Sequence, residues 1–270
     1  MQQELEKDQQ KVKRGIMTQA RFNGIWNGEF NDDVANSVIK EDWFTACIDA
    51  HKKLGIEQRG AVIAACDPSD TGNDPCGYMA RQGIVVFAVD EIQAENGNRK
   101  MDEACKRAIL DGCDSFGYDA DGLGATLRDN VDKAFSGKAV NIYAYKGSTG
   151  IHNPEGEFKS ETAGLTNRSK NLKNKDVLFN KKAQNTLSYS ERIFRTWEAV
   201  IEGKYHDPDT LISFATYDPE TKTGIIPQMM EKLKAETSKV PIKPGDTVKF
   251  YTKPELRKGV QMPDGSRLKV

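Results

Sequence analysis

A continuous apolar run at 61–66 is the clearest pattern in the sequence, and it predicts a strand buried on both faces of a sheet. The run ends in a dense cluster of turn residues at 67–75. Two more strands are predicted at 77–80 and 84–89, with a tight turn between them. Because so few residues separate these three strands, we expect hairpin connections and antiparallel pairing.

Helix and strand patterns alternate along the next part of the chain. Apolar positions at helical spacing predict helices over 98–110 and 125–135, and apolar segments predict strands at 115–118 and 139–145. Strands that are separated by helices pair in parallel through right-handed crossovers. The order therefore predicts an α/β domain with a mixed sheet, in which three antiparallel strands are followed by alternating helices and strands.

Further helices are expected to flank this sheet. An amphipathic helix at 40–54 stops at Gly55, and a long helix is predicted over 180–202. The polar segment 147–176 before the long helix shows no periodicity and predicts a long loop. Weaker signals predict a short apolar segment, a helix and a strand at 210–214, 225–235 and 247–251.

The composition excludes several classes of protein. The chain has 270 residues with 39 Lys+Arg against 40 Asp+Glu, so its net charge of −1 leaves only a local basic patch for binding nucleic acid. No apolar run approaches the roughly 18 residues of a membrane span, and we expect no membrane partner. The five cysteines lack a CxxC spacing and predict buried, reduced thiols in a cytosolic protein.

Aspartates stand at the ends of two predicted strands. Asp67 follows the first strand and Asp119 follows the fourth, and the carboxyl ends of strands line the ligand crevice of open α/β sheets. If these strands are neighbours, the two carboxylates repel each other unless a proton or a cation neutralises them. A Mg²⁺ or Mn²⁺ ion held by oxygen ligands is a simple solution, and such a site can activate water for phosphodiester cleavage.

A second interpretation of these aspartates stays open, because aspartate also caps helices and closes turns. Asp119 or Asp121 would then cap the helix predicted from 125, and Asp67 would begin a turn. Asp70, Asp74 and Asp121 fit turn roles, or indirect support of a metal site, better than direct ligation.

A basic stretch at 168–182 carries six cations against Asp176 alone: Arg168, Lys170, Lys173, Lys175, Lys181 and Lys182. Such a pattern is typical of a solvated surface. The functional alternative is a surface that contacts the phosphates of nucleic acid, with binding that is independent of sequence and sensitive to salt. Phe179 is the only aromatic residue of the stretch, so stacking on bases is not indicated.

Five short segments occur in an order and spacing that go beyond these general patterns. They include an aromatic-W-x-G-E motif, the two strand-end aspartates and the start of the long helix, at 22–30, 38–43, 65–74, 118–124 and 179–183. Together with the order of strands and helices, they resemble the C-terminal nuclease domain of the large terminase subunit of tailed bacteriophages. That domain belongs to the ribonuclease H-like superfamily.

The resemblance implies a metal-dependent DNA endonuclease that cuts concatemeric viral DNA during genome packaging in the host cytoplasm. Asp67 and Asp119 would be the ligands of Mg²⁺ or Mn²⁺, Asp121 a further catalytic residue, and Asp74 a supporting group. Double-stranded DNA would be held by the basic stretch at 168–182. The small terminase subunit and the portal protein would be the protein partners.

The resemblance also predicts how the chain is divided. Residues 1–37 would be a linker or helical extension from an ATPase domain that is absent here, and 38–270 would be the nuclease domain. The family's third acidic residue lies in an S-P-D-x-A-D-A-like segment that this sequence lacks, and Asp264 fits a turn better than that ligand. We therefore expect a fragment that is truncated before the third carboxylate, which puts its own activity in question.

Two alternatives to this function remain. The first is another ribonuclease H-like nuclease, such as a resolvase or an exonuclease. The second is a DNA-binding or assembly module that keeps the fold without the chemistry, because a fold alone does not fix a function.

Overall fold

The computed structural model describes residues 5–6, 37–70, 74–160, 172–243, 247–261 and 267–268. The strands are β1 (Val62–Asp67), β2 (Cys76–Gln82), β3 (Val85–Ile92), β4 (Ser115–Asp119), β5 (Asn141–Tyr145), β6 (Ser213–Phe214), β7 (Val260–Gln261) and β8 (Arg267–Leu268). The α-helices are α1 (Glu41–Cys47), α2 (Ala50–Lys53), α3 (Gly97–Leu110), α4 (Arg128–Ala134), α5 (Asn174–Val177), α6 (Lys181–Trp197), α7 (Pro227–Thr237) and α8 (Lys253–Lys258). Most of the predicted extension at 1–37 lies outside the described residues.

A six-stranded mixed sheet forms the centre of the fold, in the order β5-β4-β1-β2-β3-β6. The hairpins β1-β2 and β2-β3 are antiparallel, whereas β4 runs parallel to both β1 and β5, and β6 runs parallel to β3. Helices α3 and α4 lie in the crossovers that make the parallel pairs possible. The predicted mixed sheet and its antiparallel start are confirmed.

One face of the sheet is a packed apolar core. Ala64 and Cys66 of β1 and Phe116 and Tyr118 of β4 are buried in the same cluster as the apolar side of α3 and α4. Since side chains alternate between the faces of a strand, the residues between them point to the opposite face. Burial of one set of side chains therefore determines which residues remain available on the other face.

A second core joins α1, α6 and β6. The rings of Phe44 and Phe214 stack with centroids 4.5 Å apart, and Trp43 packs against Phe194 of α6 at 4.8 Å. The long helix predicted at 180–202 is confirmed: α6 begins after Asn180, whose side chain accepts a hydrogen bond from the Ala183 amide. It continues as a π-helical turn over Glu198–Glu202.

The helix predicted at 40–54 is interrupted between α1 and α2. Asp49 takes a left-handed conformation with φ 51°, and its backbone amide donates to the Phe214 carbonyl at 2.9 Å. Its carboxylate accepts hydrogen bonds from the amide and hydroxyl of Thr216. Contacts with a segment more than 160 residues away therefore override the local helical pattern.

Other predicted elements differ more locally. The helix predicted at 125–135 is a 3-10 turn over Gly122–Thr126 followed by α4. The strand predicted at 247–251 is wrong, because its residues form only isolated bridges, such as Leu178 with Val248. In the described part of the chain, none of the helices is long and apolar enough to span a membrane. All five cysteines are free and buried.

The core of the sheet can be tested at Phe116, which is fully buried and has its ring centroid 5.1 Å from that of Phe135. We expect Phe116→Ala to lower the free energy of unfolding by about 3–5 kcal/mol in urea denaturation, because it leaves a cavity. The control is Leu110→Ala at an 83% exposed position of α3, which should change stability by less than about 0.5 kcal/mol. Equal shifts in the two variants would contradict this account of the core.

Candidate metal centre

The two strand-end aspartates lie side by side. β1 and β4 pair in parallel with Cys66 opposite Tyr118, so the next residues, Asp67 and Asp119, leave the sheet together. Adjacent strands are about 4.8 Å apart, and side chains alternate between the faces of a strand, so Asp67 and Asp119 are neighbours on the same face. Asp67 is exposed and Asp119 is half-buried. The structure thus supplies the adjacency on which the metal hypothesis depends.

Both aspartates open into a groove with a volume of about 1210 Å³. Its floor is the sheet face opposite the α3 and α4 core, and small residues such as Ala65 and Gly117 keep that floor low. The walls come from the β5 side, from the start of α6 and from one side of α7: Tyr143, Tyr145, Asn180, Lys182, Met229, Lys232, Leu233 and Glu236. The carboxylates are therefore accessible to a large ligand.

The turn after β4 fixes Asp119. Its carboxylate Oδ1 accepts a hydrogen bond from the backbone amide of Asp121 at 3.0 Å. The Ala120 amide donates to the Tyr145 carbonyl at 2.7 Å, which attaches the turn to β5. Gly124 folds back so closely that a Cβ there would lie 1.7 Å from the Asp119 carbonyl oxygen. The turn can therefore close against Asp119 only because position 124 is glycine.

Asp121 connects two loops at the same edge of the sheet. Its carboxylate accepts hydrogen bonds from the Ser148 amide and hydroxyl, each at 2.9 Å. The amide hydrogen bond is the main cause that lowers the pKa of Asp121. Asp121 also lines the groove. These contacts give it a positioning role between the loops after β4 and β5, while the catalytic role assigned from the sequence stays a prediction.

Asp74 lies in the loop between β1 and β2. Its backbone carbonyl accepts hydrogen bonds from the Ser69 hydroxyl and from Lys100 Nζ, both at 2.7 Å. In the described part of the structure, neither Asp74 nor Asp70 lines the groove. A supporting role for Asp74 would therefore act through the contacts of its backbone carbonyl with Ser69 and Lys100.

The comparisons with known proteins point to one family. No protein-family model and no curated protein matches the chain. The nuclease domain of the large terminase subunit gp2 of bacterial virus Sf6 is 37% identical, with a TM-score of 0.71 over 82% of this chain and 90% of that one. A lysine-to-alanine mutant of that domain with manganese and β-thujaplicinol gives 36% identity and a TM-score of 0.72, over 85% and 94%.

The chain belongs to the family of large terminase subunit nuclease domains. The family and the ribonuclease H-like fold predicted from the sequence are thus confirmed. The family consists of metal-dependent nucleases that cut DNA during genome packaging. A further structure of the mutant Sf6 domain contains calcium, with a TM-score of 0.71, 36% identity and coverage of 84% of this chain and 94% of that one.

The donor set of this nuclease domain fits a hard divalent cation. Asp67 and Asp119 offer carboxylate oxygens, and Mg²⁺ is commonly bound through one or two carboxylates while it keeps several waters. Among the described residues, no group of three or more His, Cys, Asp or Glu side chains is placed to hold a metal ion. Asp67 and Asp119 are therefore the candidate ligands that the described residues offer at the groove.

Two charged residues that line the groove, Glu91 and Lys232, were not predicted from the sequence. Glu91 pairs with Gly77 across the sheet, and Gly77 pairs with Asp67, so the three residues form one row. Since Gly77 has no side chain, the floor of the groove stays open between the carboxylates of Asp67 and Glu91. Lys232 Nζ of α7 contacts Glu91 at 2.5 Å. The alternation along β3 was the available signal, but the predicted strand stopped at 89, two residues before Glu91.

The predicted basic residues fall into two groups. Lys173 and Lys175 both bind the carboxylate of Glu155 at 2.6 Å, and these hydrogen bonds lower the pKa of Glu155 to about 2. Lys182 instead lies on the groove wall, and its amide donates to the Gly147 carbonyl at 2.9 Å. Lys181 precedes it in the first turn of α6. Arg168 and Lys170 lie outside the described residues.

The contact of Gly124 with Asp119 gives a direct test of the turn. We expect Gly124→Ala to lower the free energy of unfolding by about 2–3 kcal/mol in urea denaturation, because its Cβ overlaps the Asp119 carbonyl. Gly122→Ala is the matched control: φ is +57° and nothing lies within 4 Å, so only the cost of a left-handed alanine, about 1 kcal/mol, is expected. Equal losses in both variants would refute the close packing at position 124.

Proposed function

We propose that Asp67 and Asp119 bind Mg²⁺ or Mn²⁺ and that this centre cleaves double-stranded DNA during viral genome packaging. The observation that supports this proposal is the parallel pairing of β1 and β4, which places both carboxylates at one edge of an open groove. The similarity to an Sf6 nuclease domain crystallised with manganese gives independent support. In this function a divalent cation both offsets the repulsion of the aspartates and participates in the reaction.

A bound divalent cation would supply an activated water and stabilise the leaving oxygen of a phosphodiester. The chain has to hold the two carboxylates at a fixed separation, which the β1-β4 pairing provides. The amide of Asp121 orients the Asp119 carboxylate, and the Asp121–Ser148 contact fixes the neighbouring loops.

A protein nucleophile is not favoured in this groove. No histidine lines the groove in the described structure, so none of its hydroxyl or thiol groups has an imidazole base beside it. Cys66 belongs to the groove lining, but the hydrogen bond with Cys76 and burial both raise the pKa of the Cys66 thiol. Attack by water at the aspartate pair therefore fits the groove better than attack by a side chain.

We further propose that Lys181 and Lys182 contact the phosphates of the DNA near this centre. Lys182 lines the same groove as Asp67 and Asp119, which supports its role. Lys173 and Lys175 share one carboxylate with each other, so part of their charge is already offset. Arg168 and Lys170 stay proposed contacts on the basis of the sequence alone.

The remaining parts of this proposal follow from the resemblance to the family. The small terminase subunit and the portal protein are the proposed protein partners, and the host cytoplasm is the proposed place of action. Residues 1–37 are the proposed linker, on the basis of the aromatic-W-x-G-E motif at 22–30. Residues 38–270 are the proposed nuclease domain.

Removal of either carboxylate should abolish the chemistry. We expect Asp67→Asn and Asp119→Asn each to reduce Mn²⁺-dependent nicking of supercoiled plasmid by at least about 100-fold, because asparagine keeps the shape but not the charge. Asp129→Asn, at an exposed position of α4, is the control and should cut like the parent.

The same assay separates the alternatives. Degradation that proceeds only from the ends of linear DNA would favour an exonuclease, and a strong preference for four-way junctions would favour a resolvase. DNA binding without cleavage at any Mn²⁺ concentration would favour the non-catalytic module. Full activity in both variants would overturn the assignment of Asp67 and Asp119.

The two lysine groups should differ in their effect on DNA binding. We expect the double variant Lys181→Gln/Lys182→Gln to weaken binding and to reduce the slope of log K against log salt by about 0.9 for each phosphate that is no longer neutralised. The matched double variant Lys173→Gln/Lys175→Gln should change the slope less, because Glu155 already offsets those charges. Fluorescence anisotropy at several salt concentrations measures both, and an unchanged slope in the first variant removes its lysines from the DNA surface.

A further inference from the structure

Lys100 is a lysine in an unusual environment. It belongs to the first turn of α3 and has 0% relative exposure. Lysine is almost never fully buried unless its charge is satisfied. Its Nζ donates hydrogen bonds to the Ser69 hydroxyl at 3.1 Å, the Asp70 carbonyl at 2.6 Å and the Asp74 carbonyl at 2.7 Å. All three ammonium donors are therefore in use.

The three acceptors share two properties. All are uncharged oxygens, and all belong to the loop between β1 and β2, which begins directly after Asp67. Burial of a charge costs free energy, and a well-packed apolar side chain of similar volume is often at least as stabilising as a buried ion. Stability alone is thus a weak explanation for a lysine at this position, whereas control of the loop explains the contacts directly.

The contacts of Lys100 join both sides of the loop. Ser69 and Asp70 lie on the side that leaves Asp67, and Asp74 lies on the side that enters β2. The Ser69 hydroxyl also donates to the Asp74 carbonyl at 2.7 Å, so the two sides meet at the ammonium. The start of α3 lies against the same loop: a Cβ on Gly97 would be 3.2 Å from the Ser69 carbonyl oxygen. The first turn of α3 therefore contacts the described residues on both sides of the loop.

Asp67 is where the loop joins the sheet. It is the last residue of β1, it pairs with Gly77 of β2, and Ser69 follows it after a single proline. We propose that Lys100 is a positioning residue of the metal centre, whose buried ammonium fixes Ser69, Asp70 and Asp74 and so the direction of the Asp67 carboxylate. This inference rests on the proposed function of Asp67 as a metal ligand.

Direct Mn²⁺ binding tests the inference without any need for catalysis. The signal of free Mn²⁺ in electron paramagnetic resonance gives the dissociation constant for the parent and for Lys100→Met, which keeps most of the side-chain volume. We expect the variant to bind Mn²⁺ about tenfold more weakly, the lower range for loss of a group that orients a ligand. The control is Met101→Ala, which creates a cavity at the next, fully buried position of α3 and should leave the dissociation constant unchanged.

A second variant keeps the inference testable if Lys100→Met does not fold. Ser69→Ala removes one acceptor of the ammonium at a half-buried loop position, and we expect a smaller weakening of Mn²⁺ binding in the same direction. Unchanged Mn²⁺ affinity in a folded Lys100→Met variant, or in Ser69→Ala when the former does not fold, overturns the positioning role. A parent protein that binds no Mn²⁺ contradicts the proposed function itself, and with it this inference.

Discussion

The placement of two aspartates at neighbouring strand ends is the constraint on which the candidate site depends. Parallel pairing of β1 and β4 places Asp67 and Asp119 at adjacent strand ends, where two like charges are unfavourable unless a proton or a cation neutralises them. Several surrounding hydrogen bonds support that arrangement. The Asp121 amide donates a hydrogen bond to the Asp119 carboxylate, and the Ser148 amide donates one to the Asp121 carboxylate. Lys100 of α3 donates one to the Asp74 carbonyl in the loop that follows Asp67. Such preorganisation is useful when a cation completes the site, because the ligands need not be ordered on binding.

The two faces of the sheet have different functions. One face buries Ala64, Cys66, Phe116 and Tyr118 against α3 and α4, which supplies the apolar burial that stabilises the domain. The other face carries small residues and the aspartates, and it forms the floor of the groove. The strict alternation of side chains along a strand links the two, since a change of register by one residue would bury the carboxylates and expose the core.

The net charge of the chain says little about the charges around the candidate site. The formal net charge of −1 predicts no strong field around the whole protein. In the structure, opposite charges are distributed locally: Lys173 and Lys175 share Glu155, and Lys232 pairs with Glu91 on the groove. Lys182 lines the same groove as the two aspartates. The number of lysines in a basic stretch does not show which of them pair with a carboxylate and which line the groove. That depends on which loops meet in the folded chain.

The sequence by itself determined the order of strands and helices, the aspartates at strand ends and the resemblance to the terminase nuclease family, because these depend on local periodicity and spacing. It could not predict that β1 and β4 are neighbours, that Asp121 meets Ser148, that Lys100 is buried under the β1-β2 loop, or that Asp49 breaks a helix to bind Thr216. Each of these contacts joins residues 26 or more positions apart. Only the packing of the chain brings such residues together, and it decided which of the predicted residues line one groove.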